Sequence, residues 1–194
     1  MNFKAIILAA GKGTRMKSKY PKVVHKVCGK EMVNHVISVS KKSGVNDIVT
    51  ILGHESDVVK EKLPKDTMIA MQTEQLGTGH AVKCAKEELK NFNGAVLVIF
   101  GDTPLITQNT FLKTVEKINE GYQVVVLGFK PQDPLRYGRL KMEGSTLKSI
   151  VEYKDATPQE REINFCNSGC MGFDGKYLFL NFSYFPLFKT ITLI

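Results

Sequence analysis

Between Leu8 and Lys22 the sequence reads LAAGKGTRMKSKYPK, a stretch whose residue types suit a polyanion. Gly11 and Gly13 permit tight turns that aim backbone N–H groups at a phosphate, and the small Ala9 and Ala10 leave room for a flat base. Arg15 can grip phosphate oxygens through two parallel hydrogen bonds. Lys22, its approach set by Pro21, adds a mobile point charge. The loop is not a Walker A, which needs Lys followed by Ser or Thr after its second Gly, nor a dinucleotide fingerprint, which needs a third Gly. A surface loop whose lysines merely keep the protein soluble accounts for the same letters, so the rest of the chain must decide. Cys28, Cys84, Cys166 and Cys170 read as free thiols. The last two have no second pair near them, and His25, His35, His54 and His80 offer no zinc-ligand spacing.

The elements around this loop are those of an α/β domain. Apolar runs of strand length, Lys4–Ala10, Asp47–Leu52, Met68–Met71, Ala95–Phe100 and Gln123–Phe129, alternate with segments of helical period. The helices are predicted over Glu31–Lys42, Ser56–Lys62, Gly79–Lys90 and Gln108–Asn119. Such alternation makes β-α-β units and a mostly parallel sheet, in which ligands gather beyond the C-terminal strand ends. After Pro134 the pattern changes: Arg139–Met142 and Leu147–Glu152 read as an antiparallel pair turning at Gly144, an addition to the parallel sheet.

A chain of 194 residues makes one domain, or one core with a small lobe. Its net charge of +8 is local. Residues 1 to 30 hold Lys4, Lys12, Arg15, Lys17, Lys19, Lys22, Lys26 and Lys30 and no acid, and beyond them the signs balance. A nucleic-acid surface spreads its charge and interleaves aromatics, whereas only Tyr20 lies between Lys12 and Lys30. A local anionic partner is the better reading. The apolar run after Lys4 is too short for a signal peptide, and the most apolar stretch, Tyr177 to Ile194, is broken by Asn181, Ser183, Pro186 and Lys189. Neither a membrane nor a nucleic-acid partner is expected, and the location is expected to be cytoplasmic.

LAAGKGTRM, followed by PKVVHKVCGKEMVNHV, resembles the opening of the bacterial UDP-N-acetylglucosamine pyrophosphorylases, the uridylyltransferase half of a bifunctional family that also acetylates glucosamine-1-phosphate. Further matches follow in the family's order: QTEQLGTGHAV at Gln72–Val82, FGDTPLI at Phe100–Ile106, YGRL at Tyr137–Leu140, IVEYKDAT at Ile150–Thr157 and NSG at Asn167–Gly169. The resemblance implies a Rossmann-like, mostly parallel sheet flanked by helices, of the nucleotide-diphospho-sugar transferase type, with a small antiparallel lobe on the sugar side. It implies transfer of a uridylyl group from UTP to N-acetylglucosamine-1-phosphate with Mg²⁺ as cofactor. The product is a precursor of peptidoglycan and lipopolysaccharide.

By the same resemblance Arg15 and Lys22 are the catalytic cations. Leu8, Ala9, Ala10, Gly11, Gly13, Gln72, Gly77 and Thr78 bind the nucleotide, with the amide of Gln72 suited to the imide edge of uracil. Gly101, Gly138, Glu152 and Asn167 bind the sugar, and Asp102 binds the metal. Plainer readings stand beside these: Asp102 as a turn-capping residue before Pro104, Thr78 as a helix N-cap, Glu152 and Asn167 as solvated strand residues, His25 and His80 as hydrogen-bonded structural histidines. Phe100 stands where the family often has Tyr.

The resemblance ends near Gly175. It makes residues 1–176 the nucleotidyltransferase domain, incomplete at its C-terminal end. Residues 177–194 are an aromatic, apolar tail, either a core element waiting for a partner or a sequence not selected to fold here. Neither the family's later Asn metal ligand nor its acetyltransferase β-helix is among these residues, so a truncated chain is expected. Three alternatives stay open: a remnant that binds nucleotide without turnover, a related transferase using another NTP or sugar, and completion of the site by a homo-oligomer or a separately encoded C-terminal piece.

Overall fold

A computed structural model describes residues 2–13, 16–45, 47–179 and 191–194. In chain order the strands are β1 (Phe3–Leu8), β2 (Lys26–Val27), β3 (Lys30–Glu31), β4 (Ile48–Leu52), β5 (Met68–Met71), β6 (Ala95–Phe100), β7 (Val124–Phe129), β8 (Arg139–Glu143), β9 (Thr146–Val151), β10 (Cys166–Asp174) and β11 (Ile191–Leu193). The helices are α1 (Met32–Lys42), α2 (Ser56–Lys60), α3 (Thr78–Lys83), α4 (Gln108–Asn119), α5 (Pro158–Arg161) and α6 (Gly175–Leu178). The main sheet runs β11-β7-β10-β6-β1-β4-β5, and all its neighbours are parallel except β10, which is antiparallel to both β6 and β7.

Both faces of the sheet are covered, which is why its inner strands are apolar without alternation. On one face Val33, Val36 and Ile37 of α1 and Phe111, Val115 and Ile118 of α4 bury against Ala5, Ile7, Leu97 and Ile99. On the other, Ala81, Val82, Ala85 and Leu89 meet Ile6, Leu8, Val96 and Val98, joined by Leu140 of β8, Leu147 of β9 and Leu178 of α6. Thr107 starts α4 by accepting a hydrogen bond from the Thr110 amide, and Lys41 and Lys42 close α1 where cations favour the helix dipole.

The expected strands and three of the four expected helices fall within two residues of the observed ones. The helix read over Gly79–Lys90 is regular only to Lys83. Beyond it the Ala85 and Lys86 amides bond three residues back, to Val82 and Lys83, so the coil tightens while Ala85 and Leu89 stay buried. The long strand β10 was not foreseen. Its register slips between Asn167 and Met171, and this bulge with two glycines, Gly169 and Gly172, hides the strand period. Of the aromatic tail, Leu178 is buried in the core and β11 pairs with the outer edge of β7; residues 180–190 lie outside the described residues. Among the described residues no helix is long and apolar enough to cross a membrane.

Candidate active site

The glycine- and lysine-rich loop after β1 leaves the sheet at its centre. The Gly101 amide donates to Leu8 O at 2.9 Å and the Ala9 amide to Ile51 O at 2.9 Å, so the ends of β1, β4 and β6 are laced together where the loop begins. A Cβ on Gly101 would sit 3.2 Å from Leu8 O, so this close approach depends on its having no side chain. Gly13 has φ +58°, and a Cβ there would lie 2.8 Å from Cβ of Lys22. The glycine therefore lets the Lys22 backbone close on the loop. Gly11 has no such constraint, since a Cβ there would meet nothing within 4 Å. Arg15, the other expected cation, lies outside the described residues.

Lys22 opens a single 3₁₀ turn anchored by buried Val23, and its Nζ lies 2.7 Å from Oδ2 of Asp102. Asp102 stands just past the end of β6, on a turn closed by the Thr103 hydroxyl donating to Phe100 O at 2.7 Å. The turn is thus held by Thr103, and the carboxylate is left for Lys22. Burial pushes the Cys170 thiol up, so a neutral group rather than a thiolate neighbours the carboxylate.

A cleft of ≈1300 Å³ collects these residues with the antiparallel lobe. Leu8, Lys22, Thr78, Asp102, Gly138, Glu152 and Asn167 all line it, so seven expected residues from six separate stretches converge on one space. A Cβ on Gly138 would fall 3.2 Å from Oε1 of Glu152, and Gly138 O accepts the Asn167 amide at 2.8 Å. Asn167 spends its Oδ1 on the Gly169 amide at 2.9 Å, which shapes the bulge of β10 and leaves its amide nitrogen for a ligand. Gly169 sits at φ +81° with the Phe100 ring where its Cβ would be.

Gln72 is buried beside this cleft rather than lining it. Its Nε2 donates to Gly77 O at 3.0 Å and lies 3.2 Å from Nδ1 of His80, so its amide nitrogen holds the start of α3 in place. His80 is the hydrogen-bonded structural histidine expected, whereas Nε2 of His25 is buried without a partner among the described residues. The cap of α3 is Gly77, at φ +94°, and Thr78 is the first helical residue, so the Thr78 N-cap is corrected: only glycine takes that φ cheaply. Ala9 and Ala10 are buried under the loop. All four cysteines are free, and the described residues contain no cluster of three or more His, Cys, Asp or Glu.

A family model described as the MobA-like NTP transferase domain matches residues 5–161. The chain belongs to this NTP transferase family. It is 61% identical over 181 residues to the bifunctional protein GlmU of Clostridioides difficile (strain 630), a match covering 92% of this chain and 39% of that one. Against the bifunctional protein GlmU of Clostridium novyi (strain NT) the figures are 50% over 181 residues, 91% and 40%. The chain thus spans about two fifths of the length of these relatives. A solved structure assigned as a glucose-1-phosphate thymidylyltransferase of Bacillus anthracis, in complex with sucrose, superposes with a TM-score of 0.74 at 21% identity, covering 99% of this chain and 86% of that one. At that identity it speaks for the fold alone: a mostly parallel, helix-flanked sheet of the nucleotide-diphospho-sugar transferase kind with a small antiparallel part.

Within this NTP transferase fold, sequence reasoning passed over Gly53 and Gln75. A Cβ on Gly53 would lie 2.6 Å from Nε2 of Gln75 and 3.0 Å from Cβ of Ala10, so the three close one flank of the loop that follows β1. The available signal was a glycine directly after an apolar strand, Leu52-Gly53, the same placement that Gly101 has after Phe100. Tyr137 and Leu135, large and exposed in the lining, were passed over because single exposed apolar residues are ordinary.

Proposed function

We propose that this chain transfers a uridylyl group from UTP to N-acetylglucosamine-1-phosphate and releases pyrophosphate, with residues 1–176 as the transferring unit. The observation that carries the reading is a single cleft lined both by the Lys22–Asp102 pair and by Gly138, Glu152 and Asn167. Identity to the bifunctional GlmU proteins over nine tenths of the chain supports the same choice. The site works in the cytoplasm on free nucleotide and sugar phosphate, in making a cell-wall precursor.

The nucleophile is a phosphate oxygen of the sugar phosphate, already ionised at neutral pH, so no general base is required. It attacks the α-phosphorus in line. The bond from that phosphorus to the bridging oxygen breaks, and pyrophosphate leaves with the electron pair. The barrier is largely the work of bringing two anions together, which preorganised positive charge lowers. Lys22 supplies an ammonium that can turn from Asp102 to the phosphates, and Arg15, by resemblance, a second cation. Glu152 accepts hydrogen bonds from sugar hydroxyls, and the free amide nitrogen of Asn167 donates to the acetamido or hydroxyl oxygens. Gln72, buried beside the cleft with its amide nitrogen held at the start of α3, is by resemblance the residue that reads the base.

Asp102 would hold Mg²⁺. Its donor set fits that ion: a hard, part-exposed carboxylate with no further ligand cluster among the described residues leaves the other positions to water and phosphate oxygens. Bound there, Mg²⁺ supplies charge neutralisation at the phosphates and the departing pyrophosphate.

The test is pyrophosphate release with UTP, the other NTPs and several sugar 1-phosphates. UTP with N-acetylglucosamine-1-phosphate should give the highest kcat/KM, and Asp102→Ala should lower it at least about a hundredfold, as loss of a key electrostatic group does. An Asp102→Ala protein as active as the parent would overturn the reading. UTP binding without turnover in the parent would favour the nucleotide-binding remnant.

A further inference from the structure

Arg139, only 2% exposed, has no carboxylate partner among the described residues. It is the largest fully buried side chain described. Removing a guanidinium from water is costly unless its N–H groups are all met. Here carbonyl oxygens meet them. Nε donates to Arg161 O at 3.2 Å, Nη1 to Pro134 O at 3.3 Å and closely to Tyr137 O, and Nη2 to Leu135 O at 3.2 Å and Arg161 O at 3.1 Å. That is one acceptor contact for each of the five N–H groups of an arginine. The remaining neighbours are neutral or aromatic: Sγ of Cys166 at 4.0 Å from Nη1, its thiol pushed up by burial, and the Tyr153 ring with its centroid 5.7 Å from Cζ.

Three of the four carbonyls belong to the segment Pro134–Tyr137, which wraps round the guanidinium with its side chains outward. The segment is bent against its own preference. Leu135 has φ +41°, a region that non-glycine residues enter only when their surroundings hold them there. The same segment forms a wall of the substrate cleft through Leu135, Arg136, Tyr137 and Gly138, and Gly138 lies against Glu152. A fourth carbonyl, from Arg161, ties this wall to the end of α5.

We propose that Arg139 is a positioning residue, holding the Pro134–Gly138 wall in the bent form that receives the sugar phosphate. The sugar half of the statement rests on the function proposed above; the hold on the wall does not. Charge alone is not what the position uses. Lysine has three donors on a point charge and cannot serve four carbonyls arranged around a planar fork, so Arg139→Lys should behave like Arg139→Met.

Two measurements on the full chain separate the halves. Arg136 is an exposed trypsin site on the wall itself. In Arg139→Lys and Arg139→Met, cleavage after Arg136 should speed up at least about tenfold, while cleavage at Lys86 and Lys113 stays at the parent rate. In pyrophosphate-release kinetics the same variants should raise KM for N-acetylglucosamine-1-phosphate at least about tenfold and leave KM for UTP within about twofold. Parent-like cleavage at Arg136, rescue by lysine, or equal increases in both KM values would each overturn the proposal, as would faster cleavage throughout, the mark of a general core role. If the parent releases no pyrophosphate, the functional reading fails alone, and the cleavage pattern still decides whether Arg139 holds the wall.

Discussion

At the scale of single residues, the glycines divide by what stands where a Cβ would go. Gly169 combines φ +81° with the Phe100 ring 2.3 Å from that point, and Phe100 cannot retreat without leaving the core it packs against. Gly169→Ala should cost about 2 kcal/mol in urea unfolding, from backbone strain plus overpacking, and should weaken sugar-phosphate binding through the displaced bulge. Gly11→Ala, with open space around it, should stay within about 0.5 kcal/mol of the parent. The sequence alone made Gly11 the better candidate, because it stands in the recognisable loop. Asp102 was legible for a related reason, a carboxylate next to Gly101 at the end of an apolar strand, and Lys22 because it stands after Pro21 in the lysine-rich loop. Arg139 was not legible, since a charged letter in a strand reads as solvated and its partners are backbone carbonyls, which no sequence pattern distinguishes.

At the scale of elements, the parallel strands announced themselves because burial on both faces makes them uninterrupted apolar runs, whereas β10 carries its bulge and glycines at the site it builds. The helix α5 shows how a four-residue element can still be well defined. Thr157 accepts the Glu160 amide at 3.2 Å while Glu160 accepts the Thr157 amide at 3.0 Å, a reciprocal capping box, and Lys141 of β8 adds a bond at 2.9 Å to the same carboxylate. The Lys141 contact first, then the Thr157 amide and hydroxyl, hold the Glu160 carboxyl at about 2, below its ordinary 4.5. A depressed carboxyl gives stability that is present above the unfolded value and lost as pH falls toward the folded one. The parent should therefore lose stability between about pH 4.5 and 2. Glu160→Gln should be less stable than the parent at pH 7, with the gap closing across that window. Urea midpoints at pH 7, 4 and 2.5 check this, and a gap independent of pH would exclude the ion pair and cap as its source. Because Arg161 O anchors Arg139, the variant should also quicken trypsin cleavage after Arg136 at pH 7.

At the scale of the molecule, the +8 charge is confined to the first thirty residues, and the fold sorts those cations by task. Lys4 pairs with Asp47 at 2.8 Å, Lys22 with Asp102 at 2.7 Å and Lys26 with Glu31 at 3.8 Å. Lys12, Lys17 and Lys19 are exposed and have no ion pair among the described residues. They follow β1 on the loop that leads from Leu8 to Lys22, which both line the cleft, so their field covers the approach to that cleft. Such a field raises the encounter rate of a polyanion without touching the bound state, and its reach shrinks with the Debye length, from about 10 Å at 0.1 M salt to about 3 Å at 1 M. With UTP as the varied substrate, kcat/KM should fall several-fold as KCl rises across that range while kcat changes little. A variant carrying Lys12→Gln, Lys17→Gln and Lys19→Gln should start lower at low salt and converge on the parent at high salt. Lys22→Gln should behave differently, losing kcat at every salt concentration, because its charge acts at the phosphates rather than on their approach. A parent whose kcat/KM is flat in salt would leave these lysines no part in capture.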